Sequence, residues 1–330
     1  STAFVDFGRI PTTGDSLNLF MLALGDSGSG KSGARRIWRR AMSDLFEHDS
    51  GWYLGSNASP TALQEKLIER DGKFSLFSAD EAHGWFRQVN GAQWADGVYE
   101  QLAEYYNGDV PPMLRTSGGR RDISGKAAKT FFSIHFMGTL RGEMSLPAVL
   151  SKSMFFSGFL ARFIWFVGDT KVVTPESLQE TNGDSEFANL GYDNQTRQWA
   201  AEFQNTRKVI RAKTGRKTVS LNATQGALDR LTAFKVQARE LSMVRPEWDI
   251  IEPALIRLSE SVRKAASLLA LDDGRIEVSL RDMVLAISAA EEWLENLFLV
   301  TSLISASAWA REVNEIEEFV IAKGGSVLRQ

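Results

Sequence analysis

Short apolar runs alternate with helical patterns over the first half of the chain. An apolar run at residues 17–24 ends at Gly25, and a pattern of helical period begins at Lys31. Further apolar runs at residues 74–79 and 131–138 end in polar residues. Because strands that alternate with helices are typical of a parallel sheet covered by helices, residues 1–170 are predicted to form an α/β domain.

The second half of the chain is predicted to be mostly helical. Residues 171–193 are polar and rich in turn-forming residues, which predicts a linker or a long loop. Apolar positions then recur at helical spacing over four segments, with a strand-like stretch between the last two. Ser279 and Asp282 match a capping box at the start of the last helix. The four segments are 195–209, 222–244, 252–271 and 281–305.

Composition narrows the function classes. The 330 residues carry a net charge of −3, so a uniformly basic nucleic-acid binder is excluded and only local patches remain for such contacts. The chain has no cysteine, which excludes disulfides, thiolate metal sites and thiol nucleophiles. Its histidines, His48, His83 and His135, are too far apart in sequence to match a metal-binding spacing.

Targeting signals are not apparent in the sequence. No run is long and apolar enough to predict a membrane span, and no signal-peptide pattern occurs, so we expect a cytoplasmic protein without a membrane partner. The chain begins without Met and stops just after an apolar helix end, which predicts a fragment of a longer protein.

The segment GDSGSGKS at residues 25–32 fits the phosphate-binding pattern G-x-x-x-x-G-K-[ST]. Glycines allow backbone amides to approach a phosphate closely, and the following helix N-terminus favours negative charge. The alternative is a chance match in a flexible loop, but the strand before it and the helix after it favour nucleotide binding. Lys31 is expected to reach the β- and γ-phosphates and Ser32 to hold Mg²⁺. The predicted nucleotide-binding residues of this segment are Gly25, Ser27, Gly28, Ser29, Gly30, Lys31, Ser32 and Gly33.

An acidic pair follows the apolar run at 74–79. Asp80 and Glu81 match the Walker B arrangement, in which Asp80 holds Mg²⁺ through water and Glu81 orients the attacking water. The alternative is that both acids only favour the start of the next helix, where the helix dipole stabilises negative charge.

Two later residues are candidates for sensing the γ-phosphate. Thr139 ends the apolar run at 131–138, where ATPases with an inserted strand carry a polar sensor; alternatively the strand simply meets its loop there. Arg162 lies among apolar residues and therefore needs a partner. That partner is either the γ-phosphate of a neighbouring subunit, which makes Arg162 an arginine finger, or an acid within the same chain.

A local basic patch precedes the Thr139 strand. Its Ser-Gly-Gly turn flanked by charge predicts a hairpin loop that could contact DNA phosphates, although a solvated surface loop fits equally well. The candidate DNA contacts are Arg115, Arg120, Arg121, Lys126 and Lys129.

The order and spacing of these motifs resemble a family of P-loop ATPases from phages, plasmids and integrated elements, a domain of unknown function often fused to a primase. That family is similar to superfamily 3 helicases and, more distantly, to AAA+ and MCM motors. The resemblance covers residues 15–170 and, more weakly, residues 257–294. It is carried by GDSGSGKS, SADEAHGWF, YYNGDVPPMLRT, FFSIHFMGT and SGFLARF.

The resemblance implies a P-loop NTPase core at residues 1–170, a linker at 171–193, an all-α lid at 194–310 and the start of a truncated winged helix at 311–330. It implies ATP and Mg²⁺ as cofactors, a homo-oligomeric ring that we expect to be a hexamer, DNA as a partner and a primase or other module in the full-length protein. Superfamily 3 proteins usually carry Asn where this chain has Thr139. Arg257 or Arg263 is expected to be the lid arginine that contacts the γ-phosphate.

Three function classes stay open at this stage. The first is a DNA helicase or primase-helicase ATPase of a mobile element, without polymerase activity in this fragment. The second is a nucleotide-driven assembly or sensor ATPase, for example in anti-phage defence. The third is a small-molecule kinase with the same phosphate loop, which the α-rich second half argues against.

Overall fold

The computed structural model describes ten ranges of the chain. They are residues 8–10, 16–26, 31–46, 49–55, 58–91, 97–112, 128–141, 145–168, 185–215 and 219–322.

The described residues form ten short or medium strands and nine α-helices, and the first half alternates between the two as the apolar pattern predicts. The strands are β1 (Gly8–Arg9), β2 (Phe20–Gly25), β3 (Phe74–Ala79), β4 (Asp109–Val110), β5 (Ala128–Lys129), β6 (Phe131–Thr139), β7 (Phe163–Gly168), β8 (Val219–Ser220), β9 (Asn222–Ala223) and β10 (Glu277–Val278). The helices are α1 (Lys31–Leu45), α2 (Pro60–Glu69), α3 (Ala82–Asn90), α4 (Val98–Tyr106), α5 (Lys152–Phe156), α6 (Ser185–Thr214), α7 (Gln225–Met243), α8 (Trp248–Asp272) and α9 (Leu280–Ala322).

A four-stranded parallel sheet with the order β3-β6-β2-β7 forms the centre of the molecule. All six residues of β3 are buried, as are the first six of β6, because helices cover both faces of the sheet. The strand that precedes the glycine-rich segment, β2, is therefore separated from β3 by β6. The α/β class predicted from the sequence is confirmed.

The segment at residues 52–54 extends this sheet by a single bridge. Tyr53 pairs in parallel with Leu76 of β3, and the Leu54 amide donates to the Leu76 carbonyl at 2.8 Å. This segment lies at the outer edge of the sheet, next to the strand that precedes Asp80.

Aromatic side chains fill the interior around the sheet. The rings of Phe20 and Tyr106 pack edge to face with centroids 4.9 Å apart, and Phe136 lies 5.9 Å from Phe163. Such pairs add to the free energy gained from burying apolar area. The core therefore joins β2, β6 and β7 to helix α4.

The helical second half packs directly on the sheet. The Asn296 side chain of α9 donates to the Trp165 carbonyl of β7 at 3.1 Å, and Trp293 of α9 lies edge to face with Phe166. Strand β1 near the N-terminus pairs in parallel with β8 of the second half. The residues before and after position 170 therefore pack against each other and do not form two independent units.

Two predicted boundaries differ from the observed elements. The segment predicted as a linker at 171–193 is helical from Ser185, where α6 begins, so its second part is not loop. The boundary predicted at residue 310 falls inside α9, which continues to Ala322. Around residue 310 the sequence contains no glycine or proline that would end a helix, so α9 continues through that position. Among the helices of the described ranges, none combines the length and apolarity that crossing a lipid bilayer requires.

The capping box predicted before the last helix is confirmed. The Ser279 amide donates to Asp282 Oδ2 at 2.8 Å, and the Asp282 amide donates to Ser279 Oγ at 3.4 Å. Arg275 donates to both oxygens of the Asp282 carboxylate at 2.7 Å. Burial of this carboxyl raises its pKa, but the hydrogen bonds from Arg275 and Ser279 outweigh burial and lower the pKa of Asp282 to about 2.

We expect Asp282→Asn to lower the free energy of unfolding by roughly 2 kcal/mol near neutral pH, because a carboxyl with a depressed pKa stabilises the fold above its unfolded pKa. This contribution is lost as the pH falls from about 4 to about 2, through the folded pKa. Urea unfolding of both proteins between pH 7 and pH 2 measures the difference. Asp229→Asn on the exposed surface of α7 is the matched control. A difference that is independent of pH contradicts the assignment.

Candidate functional site

The carboxyl ends of β2 and β6 bring predicted site residues to one edge of the sheet. Gly25, the first residue of the glycine-rich segment, is in register with Thr139 at the end of β6. On the far side of β6, Ala79 pairs with Phe136, and Asp80 and Glu81 follow directly. Ligands of open α/β sheets bind at this edge because loops and helix N-termini converge there.

Helix α1 begins at Lys31, immediately after the glycine-rich segment. Ser27, Gly28, Ser29 and Gly30 lie outside the described residues. The structure describes the backbone but not the side chains of Lys31, Ser32 and Gly33. A strand, a short glycine-rich connection and a helix N-terminus therefore follow one another as phosphate binding by this motif requires.

Asp80 forms an ion pair with Arg35 of α1. The Arg35 guanidinium also donates to the Tyr53 hydroxyl at 2.7 Å, so one side chain links α1 to the edge strand segment and to the acid after β3. Arg35 is largely buried, whereas the Asp80 side chain is 44% exposed. The acid predicted to hold Mg²⁺ is thus both accessible and neutralised by a cation within the chain.

Glu81 is exposed and stands at the N-terminal boundary of α3 without a side-chain capping hydrogen bond. The alternative interpretation, in which the helix dipole favours an acid at this position, needs no such bond and stays open. Glu81 is an exposed carboxylate next to Asp80 in the chain.

Thr139 is half-buried at the end of β6, and its carbonyl accepts from the Leu146 amide at 2.8 Å. Gly138 leaves room for this turn, because a Cβ there would stand 2.9 Å from the Leu146 Cβ. Leu146 thus holds the strand end in place. Thr139 lies at the same edge of the sheet as Gly25.

Arg162 is buried, with 6% of the residue exposed. Its Nη1 donates to the Gly158 carbonyl at 2.6 Å, and its guanidinium lies 5.6 Å from the centroid of the Tyr106 ring. Gly158 has a φ of +80°, and a Cβ there would meet Arg162 Nη1 at 2.6 Å, so glycine is required on both grounds. Arg162 is therefore bound within its own chain.

The C-terminal helices supply charged partners beside Arg162. Arg257 Nη1 of α8 binds Glu260 Oε2 at 2.9 Å, and Lys264 Nζ binds Glu260 Oε1 at 3.2 Å. Burial and the positive charge of Arg257 lower the pKa of Arg162 from its usual range. Of the two lid arginines predicted from the sequence, Arg257 is therefore the one that the structure brings to Arg162.

The predicted DNA-binding patch is described only at its base. Strands β4 and β5 pair antiparallel, with Asp109 opposite Lys129, which closes a hairpin around the patch. Lys129 forms an ion pair with Asp109, and its backbone amide donates to Asp71 Oδ1 at 2.8 Å. Lys129 is therefore neutralised. The other candidates, Arg115, Arg120, Arg121 and Lys126, lie outside the described residues.

Two cavities differ from the predicted site. A cavity of about 650 Å³ is lined by α2, α4 and Pro111, and by none of the predicted nucleotide-binding residues. A second cavity of about 200 Å³ lies between α1 and the sheet, with Trp38, His135 and Phe166 among its lining residues. Its walls are apolar and it is smaller than ordinary ligand pockets, so it does not fit a nucleotide.

Sequence reasoning missed the residues that connect the site. The sequence offers no motif at Arg35, Tyr53, Glu260 or Lys264. Helical spacing offers one signal for Arg35, which stands one turn after Lys31 on the same helix. Its pairing with Asp80 depends on a contact between segments far apart in the chain.

No protein-family model matches the sequence, and no curated protein was found to match it. Within the described ranges, no three acidic or histidine side chains are grouped closely enough to hold a metal ion on their own. A magnesium ion at Asp80 would therefore need oxygen ligands from a bound phosphate and water, which is the usual coordination for Mg²⁺.

We expect Arg35→Gln to lower the Mg²⁺ concentration needed for half-maximal nucleotide binding by about threefold to tenfold, because Arg35 and Mg²⁺ compete for the Asp80 carboxylate. Titration of Mg²⁺ at fixed fluorescent nucleotide measures this concentration. Arg36→Gln, one residue along the same helix and exposed, is the matched control. Equal Mg²⁺ dependence in wild type and Arg35→Gln contradicts the competition.

Proposed function

We propose that this chain is a P-loop ATPase that works as a homo-oligomeric ring, with a C-terminal helical lid, and that it translocates DNA as a helicase or primase-helicase module of a mobile genetic element. The observation that carries the proposal is the sheet order β3-β6-β2-β7. It inserts the Thr139 strand between the strand of the glycine-rich segment and the strand of Asp80 and Glu81.

The residues at this edge fit ATP and Mg²⁺ by their chemistry. The N-terminus of α1 favours phosphate, and Asp80 offers a partly exposed carboxylate oxygen. When bound, Mg²⁺ would neutralise the charge that develops on the phosphate oxygens. Asp80 and Ser32 would hold the ion, with Asp80 separated from Arg35, and Lys31 would bind the β- and γ-phosphates.

Hydrolysis needs an activated water and a group that recognises the γ-phosphate. Glu81 accepts a hydrogen bond from the attacking water and orients it in line with the phosphorus. The Thr139 hydroxyl donates a hydrogen bond to the same water or to the γ-phosphate. Arg162 acts as an arginine finger only where ring assembly releases its guanidinium from Gly158 and Tyr106.

We expect Lys31→Ala to abolish ATP hydrolysis and Glu81→Gln to slow it by at least about 100-fold while ATP remains bound, because only the second variant keeps the phosphate contacts. Phosphate release and nucleotide binding, measured with and without single-stranded DNA, test both. Lys208→Ala, an exposed lysine of α6, is the control. Wild-type protein that hydrolyses no ATP contradicts the proposed activity, and hydrolysis unchanged by DNA contradicts the motor.

The charge around the hairpin base favours a second candidate function. Asp71, Glu104 and Asp109 surround Lys129 in one open cavity, so the described lining of this cavity carries more acid than base. An acidic surface repels DNA phosphates and suits a basic protein partner. The second candidate is accordingly an assembly or sensor ATPase, in which ATP controls the oligomeric state and no DNA is moved.

A pair of charge reversals separates the two candidates. In the motor, we expect Arg120→Glu with Arg121→Glu to weaken DNA binding by about 10-fold or more, because two phosphate contacts are lost. Lys129→Gln should weaken it less than the double reversal does, because it removes one charge that already lies beside Asp109. Fluorescence anisotropy with a single-stranded oligonucleotide at two salt concentrations measures the affinities. In the assembly ATPase, neither variant changes DNA binding, and Glu81→Gln with ATP still forms a larger species in light scattering.

A further inference from the structure

Lys264 lies at the centre of a charged cluster between the helical half and the sheet. It is fully buried on α8, with 0% of its side chain exposed. Its ammonium lies 3.5 Å from the centroid of the Tyr106 ring, 3.2 Å from Glu260 Oε1 and 3.3 Å from the Asn18 carbonyl oxygen. A buried cation requires such partners, because removing an ammonium from water costs several kcal/mol.

Each partner connects Lys264 to a different part of the proposed ATPase. Asn18 stands two residues before β2, and its side-chain amide donates to the Tyr106 carbonyl at 2.9 Å and to the Phe132 carbonyl of β6 at 2.8 Å. Lys264 is therefore attached to the strand that leads to the glycine-rich segment and, through Asn18, to the strand that ends at Thr139.

One side chain lies between the Lys264 ammonium and each of the two arginines, Arg162 and Arg257. The Tyr106 ring lies against Lys264 and also against the Arg162 guanidinium. The Glu260 carboxylate is divided between Lys264 on one oxygen and Arg257 on the other. Glu260 is the acid that holds Arg257, so the position of its carboxylate decides where the Arg257 guanidinium points.

Stability alone does not explain this arrangement. A buried ion pair is often no more stable than apolar residues of similar volume. The contacts instead connect three cations of the cluster to one shared acid: Glu260 binds Arg257 and Lys264, and its negative charge acts on Arg162.

We propose that Lys264 is a positioning residue of the ATPase: it fixes the Glu260 carboxylate and the Tyr106 ring, and thereby sets the orientation of Arg257 and the position from which ring assembly releases Arg162. This inference rests on the proposed ATP hydrolysis. In this role Lys264 contacts neither the nucleotide nor the attacking water, and it acts only through Glu260 and Tyr106.

Steady-state ATP hydrolysis by Lys264→Met tests the assignment. We expect kcat to fall about tenfold or more, with KM for ATP changed less than about twofold, because misplaced arginines affect the transition state while the phosphate contacts of the glycine-rich segment remain. Lys235→Met, an exposed lysine of α7, is the control and should keep wild-type kcat and KM.

The double variant Lys264→Met, Glu260→Gln separates positioning from stability. It leaves no unpaired buried carboxylate, so we expect its Tm to recover toward that of the wild type while kcat stays low. Glu260→Gln alone retains the buried ammonium and the size of the side chain, and it should lower kcat as well. If Lys264→Met does not fold, Glu260→Gln is the variant that tests the proposal. Recovery of kcat together with Tm in the double variant, or wild-type kcat in either single variant, overturns the positioning role. A wild-type protein without ATPase activity instead contradicts the proposed function.

Discussion

The parallel pairing of β6 between β2 and β3 is the constraint on which the candidate site depends. Gly25 stands opposite Thr139 in this register, and Ala79, which precedes Asp80, stands opposite Phe136. Parallel strands present their carboxyl ends at one edge, so three segments far apart in the chain meet there. A shift of one residue in β6 would turn its side chains to the other face of the sheet and remove this arrangement.

The buried polar contacts tie the rest of the molecule to that edge. Asn18 joins β2, α4 and β6 by hydrogen bonds from a single side chain, and Lys264 of α8 binds the Asn18 carbonyl. Polar groups buried in a low-dielectric interior must keep their partners, so such contacts specify one arrangement more strictly than apolar packing does. The helical half is therefore held in a defined position on the sheet.

Arg162 shows how burial changes the interpretation of a motif. Its apolar neighbours in sequence correctly indicate a charge that needs a partner, and the structure supplies the Gly158 carbonyl and the Tyr106 ring within the chain. The negative charge of Glu260 raises the pKa of Arg162, and the positive charge of Arg257 lowers it. A role for Arg162 in a neighbouring subunit thus involves a change in these contacts, and the cluster on α8 is placed to control that change.

The sequence alone determined the α/β class, the apolar strands β2, β3 and β6, the acids after β3 and the Ser279–Asp282 cap, because each follows from local periodicity or from a short spacing. Only the tertiary structure decided that Arg35 pairs with Asp80, that Lys129 is neutralised by Asp109, and that Lys264 lies between Glu260, Tyr106 and Asn18. These contacts join residues on separate strands and helices, and no local pattern specifies which charged side chain is buried against which. Their partners follow from the packing of the helices on the sheet, because a charge that loses water must find a neutralising group where the fold happens to place one.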